Sequence, residues 1–197
     1  NKIIGFHPTD LPSNKGRHPI VWSIILGLRK SAISFFIINK DADSGKIIYK
    51  KLFNVPKYCS ATKFYKIITN LVLNNLKVLK EILNAKPKII KIKKNENYRR
   101  KRKFDDGVID WRMSADNIYK HYLALSYPYP NISFKYKEKF YVIKKCRIIK
   151  TSKFSNQEPG KIIFKTKKSL FVKCSENVIR IDHVKPKLNF NRIKYLI

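Results

Sequence analysis

The stretch that most restricts how this chain can fold runs from Gly5 to Lys46. Ile3, Ile4 and Phe6 form a short apolar strand ending at His7, and Pro8 and Pro12 prevent a helix from continuing it, because proline lacks an amide hydrogen and its ring clashes with the preceding turn. After the donor-rich turn Lys15 to Pro19, Pro19 suits a first helical turn, and Val21, Trp22, Ile24, Ile25 and Leu28 give a broad apolar face up to Gly27 and Arg29. Ser31 to Ile38 is a continuous apolar, β-branched and aromatic run, as in a strand buried on both faces. The chain then turns through Asp41-Ala42-Asp43-Ser44-Gly45 into another strand, Lys46 to Val55. This order predicts an α/β fold, which gathers its sites at strand ends. His7 and Asp43 are therefore the first candidates for a catalytic pair, an imidazole that moves protons near neutral pH and a carboxylate that orients it. Taken without further context, two carboxylates one residue apart more often form a solvated turn. His18 reads as a loop histidine, and Trp22 reads as core rather than ligand contact.

The remainder alternates long and short elements. Ser60 is an N-cap candidate for one long helix, Ala61 to about Asn84, with Phe64, Ile67, Ile68, Leu71, Leu76, Leu79 and Leu83 at helical spacing. Lys86 to Lys103 is dense in charge without a helical stripe, which favours a solvated linker over a phosphate-binding arm. Ser114 caps a helix over Ile118 to Leu125, and Pro128-Tyr129-Pro130 stops it. From Asn131 onward short strands are expected: Ile132 to Tyr136, Phe140 to Ile149, Lys161 to Lys165, Ser169 to Cys174 and Val178 to Val184.

Charge sets the range of partners. The 197 residues hold 44 Lys and Arg against 13 Asp and Glu, a net charge of +31 that suits a polyanion such as RNA, a nucleotide sugar or an acidic membrane surface. Lysine, isoleucine and asparagine are abundant throughout, so a general compositional bias explains the charge more simply than a dedicated nucleic-acid surface. The three cysteines, Cys59, Cys146 and Cys174, lie far apart without a Cys-x-x-Cys pair, which suggests neither a zinc site nor a disulfide framework and fits a reducing cytoplasm. No apolar run reaches the length of a membrane span.

His7-Pro8-Thr9-Asp10-Leu11-Pro12, Lys15-Gly16-Arg17, Pro19 to Trp22 and Asp43-Ser44-Gly45 fall in a fixed order. In order and spacing they resemble the formyltransferases that use 10-formyltetrahydrofolate, namely methionyl-tRNA formyltransferase and the sugar N-formyltransferases. That family carries Asn-x-His-x-Ser/Thr-x-Leu-Pro, then Arg-Gly, a Pro-x-x-Trp helix and Asp-x-Gly. The segment Asn97-Tyr98-Arg99-Arg100-Lys101-Arg102 through Asp105-Asp106-Gly107-Val108-Ile109-Asp110-Trp111 is similar to the family's Arg-x-x-x-Asp-Gly-x-Ile-Asp-Trp. Glu158-Pro159-Gly160-Lys161-Ile162-Ile163 resembles the opening of its small C-terminal domain. The His-Pro-Thr-Asp-Leu-Pro form, followed by Gly16-Arg17-His18-Pro19, looks closer to the sugar-modifying branch. Three positions depart: Gly5 replaces the family's asparagine, Lys15 its loop arginine, and Leu123-Ala124 its Arg-Ala.

The resemblance implies the C-terminal part of a Rossmann-like formyltransferase domain followed by a small OB-like β-domain. It divides the chain into residues 1–96, 97–130 and 131–197, and it implies that the N-terminal part of the family domain is missing from this sequence. Catalysis is expected at His7, at Asp43 and at the position of Gly5. Asp41, Ala42 and Asp43 are expected along the folate donor, and Thr9, Lys15, Gly16, Arg17, Arg100 and Arg102 at the acceptor. The donor would be 10-formyltetrahydrofolate, with no metal. The acceptor would be the amine of a nucleotide-linked amino sugar; initiator methionyl-tRNA and a truncated, non-catalytic remnant are the alternatives. A cytoplasmic protein is expected, and a homodimer is compatible with this reading.

Overall fold

The computed structural model describes residues 3–85, 87–92, 96–190 and 193–196; Asn1 and Lys2 of the expected first strand, and Lys86 and Lys93 to Asn95 of the expected linker, lie outside them. The chain forms two units, residues 1–102 and 103–197.

In the first unit, β3 (Lys30–Ile37) is the middle strand of an antiparallel sheet ordered β1-β3-β4, flanked by β1 (Ile4–His7) and β4 (Lys46–Asn54). The apolar run expected to be buried supplies the centre, with Ser31, Ala32, Ile33, Ser34 and Phe36 all buried. The first strand, apolar in sequence, lies at the edge of this sheet. It has one neighbour, so only His7 is buried and Phe6 is 43% exposed. All pairs in this sheet are antiparallel, so these three strands do not by themselves display the parallel crossovers of a Rossmann-like sheet. Helix α1 (Pro19–Ile25) buries Ile20, Val21 and Ile24, each such side chain contributing about 1.5–3 kcal/mol.

The expected long helix is broken in two, α2 (Ala61–Asn74) and α3 (Leu76–Asn84). Asn75 leaves helical geometry at φ −114°, its amide donating to the Leu71 carbonyl at 2.7 Å while its Oδ1 accepts from the Tyr49 hydroxyl at 2.7 Å. Side-chain bonds of this kind compete with the helical ladder, which apolar periodicity cannot reveal. Ser60 caps α2 as expected, accepting the Lys63 N–H at 3.2 Å. The expected linker also holds structure. Tyr98–Arg99 is a strand, β5, running parallel to β2 (Lys15–Gly16). The Lys15 and Arg17 amides donate to the Asn97 and Arg99 carbonyls, both at 2.9 Å, so this segment satisfies groups that the loop leaves open.

The second unit begins with a 3₁₀ turn, Phe104–Gly107, and α4 (Ala115–Ala124), capped by Ser114 through the Asn117 N–H at 3.2 Å. A five-stranded antiparallel sheet follows, with β6 (Ser133–Tyr136), β7 (Lys139–Ile149), β8 (Ile162–Lys165), β9 (Leu170–Lys173) and β10 (Val178–Lys185) in the order β6-β7-β10-β9-β8. Ile143, Leu170, Val172, Ile179 and Ile181 form its buried face. Helix α4 packs on β7 and β10, and Trp111 meets Phe134 edge-on at 5.9 Å. Burial pushes the thiols of Cys146 and Cys174 up to about 12, which leaves them protonated and unreactive at neutral pH. Among the described residues no helix is long and apolar enough to cross a membrane.

Candidate active site

His7 closes β1 and lies opposite Ser34, its side chain 5% exposed. Its Nε2 is 2.7 Å from the main-chain oxygen of Asn14, and its Nδ1 is 3.3 Å from Oδ1 of Asp43. Asp43 occupies the loop between β3 and β4 in the left-handed region, φ 55°, and its Oδ2 accepts the Gly16 N–H at 2.9 Å. One carboxylate thus touches the imidazole and fixes the loop that covers it. Burial is the strongest influence on the ring and holds its pKa below the ordinary histidine value, against the opposing pull of Asp43 and of the Asn14 carbonyl. At neutral pH the imidazole is uncharged, the form that accepts a proton.

The loop from Pro8 to His18 is held by polar contacts on several sides. Thr9 is fully buried; its hydroxyl donates to the Asn14 oxygen at 3.3 Å and its carbonyl accepts from Ser34 at 2.9 Å. The Lys50 ammonium pairs with Asp10 and donates to the Leu11 carbonyl at 2.7 Å. Lys15 is buried with its ammonium 2.9 Å from Glu96. Gly16 adopts φ 97°, and a Cβ there would collide with the Arg99 main-chain oxygen, so this position accepts only glycine. Arg17, Asp41 and Ala42 are exposed.

The structure brings His7 together with Asp43, Thr9 and the loop, and it places the other expected residues elsewhere in the unit. The Arg100 and Arg102 guanidiniums lie over the Trp22 indole at 5.6 and 5.0 Å, and Trp22 Nε1–H donates to the Arg100 carbonyl at 3.1 Å. Trp22 is therefore a partly buried platform for the basic segment rather than a core residue. His18 sits in its turn at φ 51° and accepts the Arg102 N–H at 3.3 Å. Gly5 faces Phe36 across the sheet. A side chain there would start 2.6 Å from the Phe36 Cζ, so the ring fills the room that an amide side chain at this position would take.

Sequence reasoning missed three contributors: Ser34, Asn14 and Arg99. Ser34 lay hidden in an apolar run. Asn14 acts on His7 through its main chain, which leaves no side-chain signature. Arg99 donates from Nη2 to the Asn14 Oδ1 at 3.3 Å, and nothing in the sequence separates it from Arg100 and Arg102 beside it. Among the described residues no group of three His, Cys, Asp or Glu is placed to hold a metal ion.

Comparison with known proteins gives this geometry a context. Residues 101–190 match the family described as "Formyl transferase, C-terminal domain". The methionyl-tRNA formyltransferase of Caldanaerobacter subterraneus subsp. tengcongensis is 29% identical over 189 residues, covering 90% of this chain and 57% of that protein. The chain thus spans somewhat more than half the length of such curated relatives. Among solved structures, HypX from Aquifex aeolicus in complex with tetrahydrofolic acid superposes with a TM-score of 0.70 at 17% identity, over 93% of this chain and 32% of that one. An N-formyltransferase from Helicobacter canadensis, in complex with folinic acid and dTDP-3-aminofucose, gives 0.69 at 14% identity, over 92% and 66%. At these identities the structural matches establish the fold alone.

Proposed function

We propose that this chain, whose residues 101–190 match the formyl transferase C-terminal domain and which is 29% identical to a methionyl-tRNA formyltransferase, takes part in moving a formyl group from 10-formyltetrahydrofolate to the amine of a nucleotide-linked amino sugar. The observation that carries this reading is the buried His7 imidazole held against the Asp43 carboxylate at 3.3 Å. The amine nitrogen bonds to the formyl carbon, the amine gives up a proton, the bond from that carbon to the donor nitrogen breaks, and the departing nitrogen takes up the proton that His7 has carried. When bound, the folate supplies the activated formyl carbon. His7, uncharged because it is buried, takes the proton, and Asp43 stabilises the imidazolium that forms. The exposed Asp41 and Ala42, in the same loop as Asp43, fit the polar edge of the donor. Arg17 and Arg100 offer exposed guanidiniums to the acceptor's diphosphate, Arg102, buried against Trp22, supports that segment, and Thr9, Lys15 and Gly16 shape the loop. In this reading the three-stranded sheet is part of a Rossmann-like domain, the second unit's sheet is an OB-like β-domain, and the protein works in the cytoplasm.

A second reading, initiator methionyl-tRNA as acceptor, is favoured by the curated relatives, several of which are methionyl-tRNA formyltransferases at 28–29% identity, and by the +31 charge. The deciding experiment measures formyl transfer by the protein carrying this chain to a panel of nucleotide-linked amino sugars and to methionyl-tRNA, across salt concentration. Sugar acceptance with mild salt dependence supports the first reading, and steep loss of tRNA formylation with salt supports the second. A rate unchanged in His7→Gln would overturn the role of His7 as base, and absence of transfer to every acceptor would overturn both readings and leave a non-catalytic role.

A further inference from the structure

Both ring nitrogens of His7 face acceptors, the Asn14 carbonyl at Nε2 and the Asp43 carboxylate at Nδ1. A neutral imidazole has one proton for these two oxygens, and the distances indicate where it sits. The 2.7 Å separation at Nε2 is that of a well-formed hydrogen bond, whereas 3.3 Å at Nδ1 exceeds the roughly 2.7–2.9 Å of a charge-assisted N–H to carboxylate bond.

We propose that Asn14 is the positioning residue of this site: its main-chain oxygen fixes the His7 tautomer that carries its proton on Nε2, leaving the Nδ1 lone pair, beside Asp43, as the atom that receives the amine proton. This rests on the reaction proposed above and reverses the simpler arrangement in which Asp43 orients the ring through an Nδ1 proton. The step is balanced: the proton leaves the attacking nitrogen for the more exposed Asp43 carboxylate and passes from its Oδ1 to Nδ1, the Nδ1–H bond forms, and the imidazolium then has a proton for each acceptor, Nε2–H to Asn14 and Nδ1–H to Asp43, until it returns one to the departing donor nitrogen. The contact that is long in the neutral site becomes a charge-assisted bond as charge develops, so Asp43 contributes most when the proton has moved.

Asn14 is itself held on every side. Its N–H donates to the Asp10 carbonyl at 3.1 Å and its Nδ2 donates to the same carbonyl at 3.4 Å. Its Oδ1 accepts from Arg99 at 3.3 Å, and the next amide, Lys15 N–H, is tied to Asn97 at 2.9 Å. The carbonyl that selects the tautomer is thus anchored by β5, which makes Arg99 a second positioning residue acting through Asn14.

The test is a long-range proton–nitrogen spectrum of the protein carrying this chain, labelled with ¹⁵N at histidine and recorded at neutral pH, with His7 assigned by its loss in His7→Gln. The expected result is a protonated-type Nε2 and an unprotonated-type Nδ1. A protonated Nδ1, alone or together with Nε2, overturns the proposal. In Asn14→Ala the two tautomers are expected to mix and kcat to fall about tenfold to a hundredfold with little change in KM, while Asn14→Asp, which keeps an acceptor for Arg99, restores the single tautomer. A folded Asn14→Ala protein with an unchanged His7 spectrum overturns the anchoring of that carbonyl by the Asn14 side chain and by Arg99. If Asn14→Ala does not fold, Arg99→Ala reads the same change through the same anchor. Absence of formyl transfer alongside the Nε2–H tautomer removes the reaction and keeps the tautomer. Transfer alongside an Nδ1–H ring does the opposite.

Discussion

Gly5 and Phe36 are predicted to behave as one packing unit. A Cβ at position 5 would lie 2.6 Å from Phe36 Cζ and 3.0 Å from both Cε atoms, against about 3.5–4.0 Å for unstrained carbon contacts, so the ring must retreat by about 1 Å. It has little room to do so, being 5% exposed and packed with Leu11 and Ile47. Overpacking of this kind costs about 1–3 kcal/mol, partly offset by the about 0.4–1 kcal/mol gained when alanine narrows the unfolded ensemble. Gly5→Ala should therefore destabilise the first unit by about 1–2 kcal/mol, or about 4–8 °C in Tm for each kcal/mol. Phe36→Leu alone should destabilise it through lost contacts. The pair should cost less than the sum of the single changes, with a coupling energy of about 0.5–3 kcal/mol. The protein has two tryptophans, Trp22 in the first unit and Trp111 in the second. Urea unfolding followed by Trp22 fluorescence in a Trp111→Phe background therefore reads the relevant unit. Strict additivity of the two substitutions would show that the ring does not occupy the space above Gly5, and would remove the steric reason for a glycine at this position.

Other expectations can be checked in the same assay. Burial holds the folded His7 pKa below the ordinary 6.5, so the unfolded chain binds this proton first as pH falls; stability of the first unit should be fully present above about pH 6.5 and decline below it, and His7→Gln should flatten that decline between pH 7.5 and 5.5. Tyr49→Phe removes the hydroxyl that holds Asn75 at 2.7 Å and should cost about 0.5–1.5 kcal/mol in the Trp22 signal. Ser114→Ala removes the cap of α4 and should cost about 1 kcal/mol, seen by Trp111 and not by Trp22.

Much of the scaffold was legible because apolar patterning and punctuation are local. The run from Ser31 to Ile38, Pro19 at the start of α1 and the caps Ser60 and Ser114 each lead to an element where residue chemistry placed it. His7 and Asp43 were legible as strand-end residues, and the structure sets them 3.3 Å apart. What escaped was carried by the main chain or by tertiary contact. Asn75 breaks a helix because Tyr49, far away in sequence, holds its side chain. Tyr98 and Arg99 form a strand too short to show any period, inside a run whose charge suggested solvent. The same blindness applies to Asn14, whose contribution at His7 is an oxygen that every residue possesses.

The pairing of β2 with β5 also orders events during synthesis. Lys15 and Gly16 find their partners only at Tyr98 and Arg99, so the loop over His7 stays unfinished while the intervening strands and helices are being made. At typical elongation rates of about 5–20 residues per second that interval is on the order of ten seconds, long compared with the folding of a helix or a hairpin. Throughout it the sheet can form around a histidine whose Asn14 contact is not yet locked. The last few residues of the unit to emerge are then the ones that bring its chemistry into register, and a ribosome stalled short of Arg99 would hold a folded sheet with an unset site.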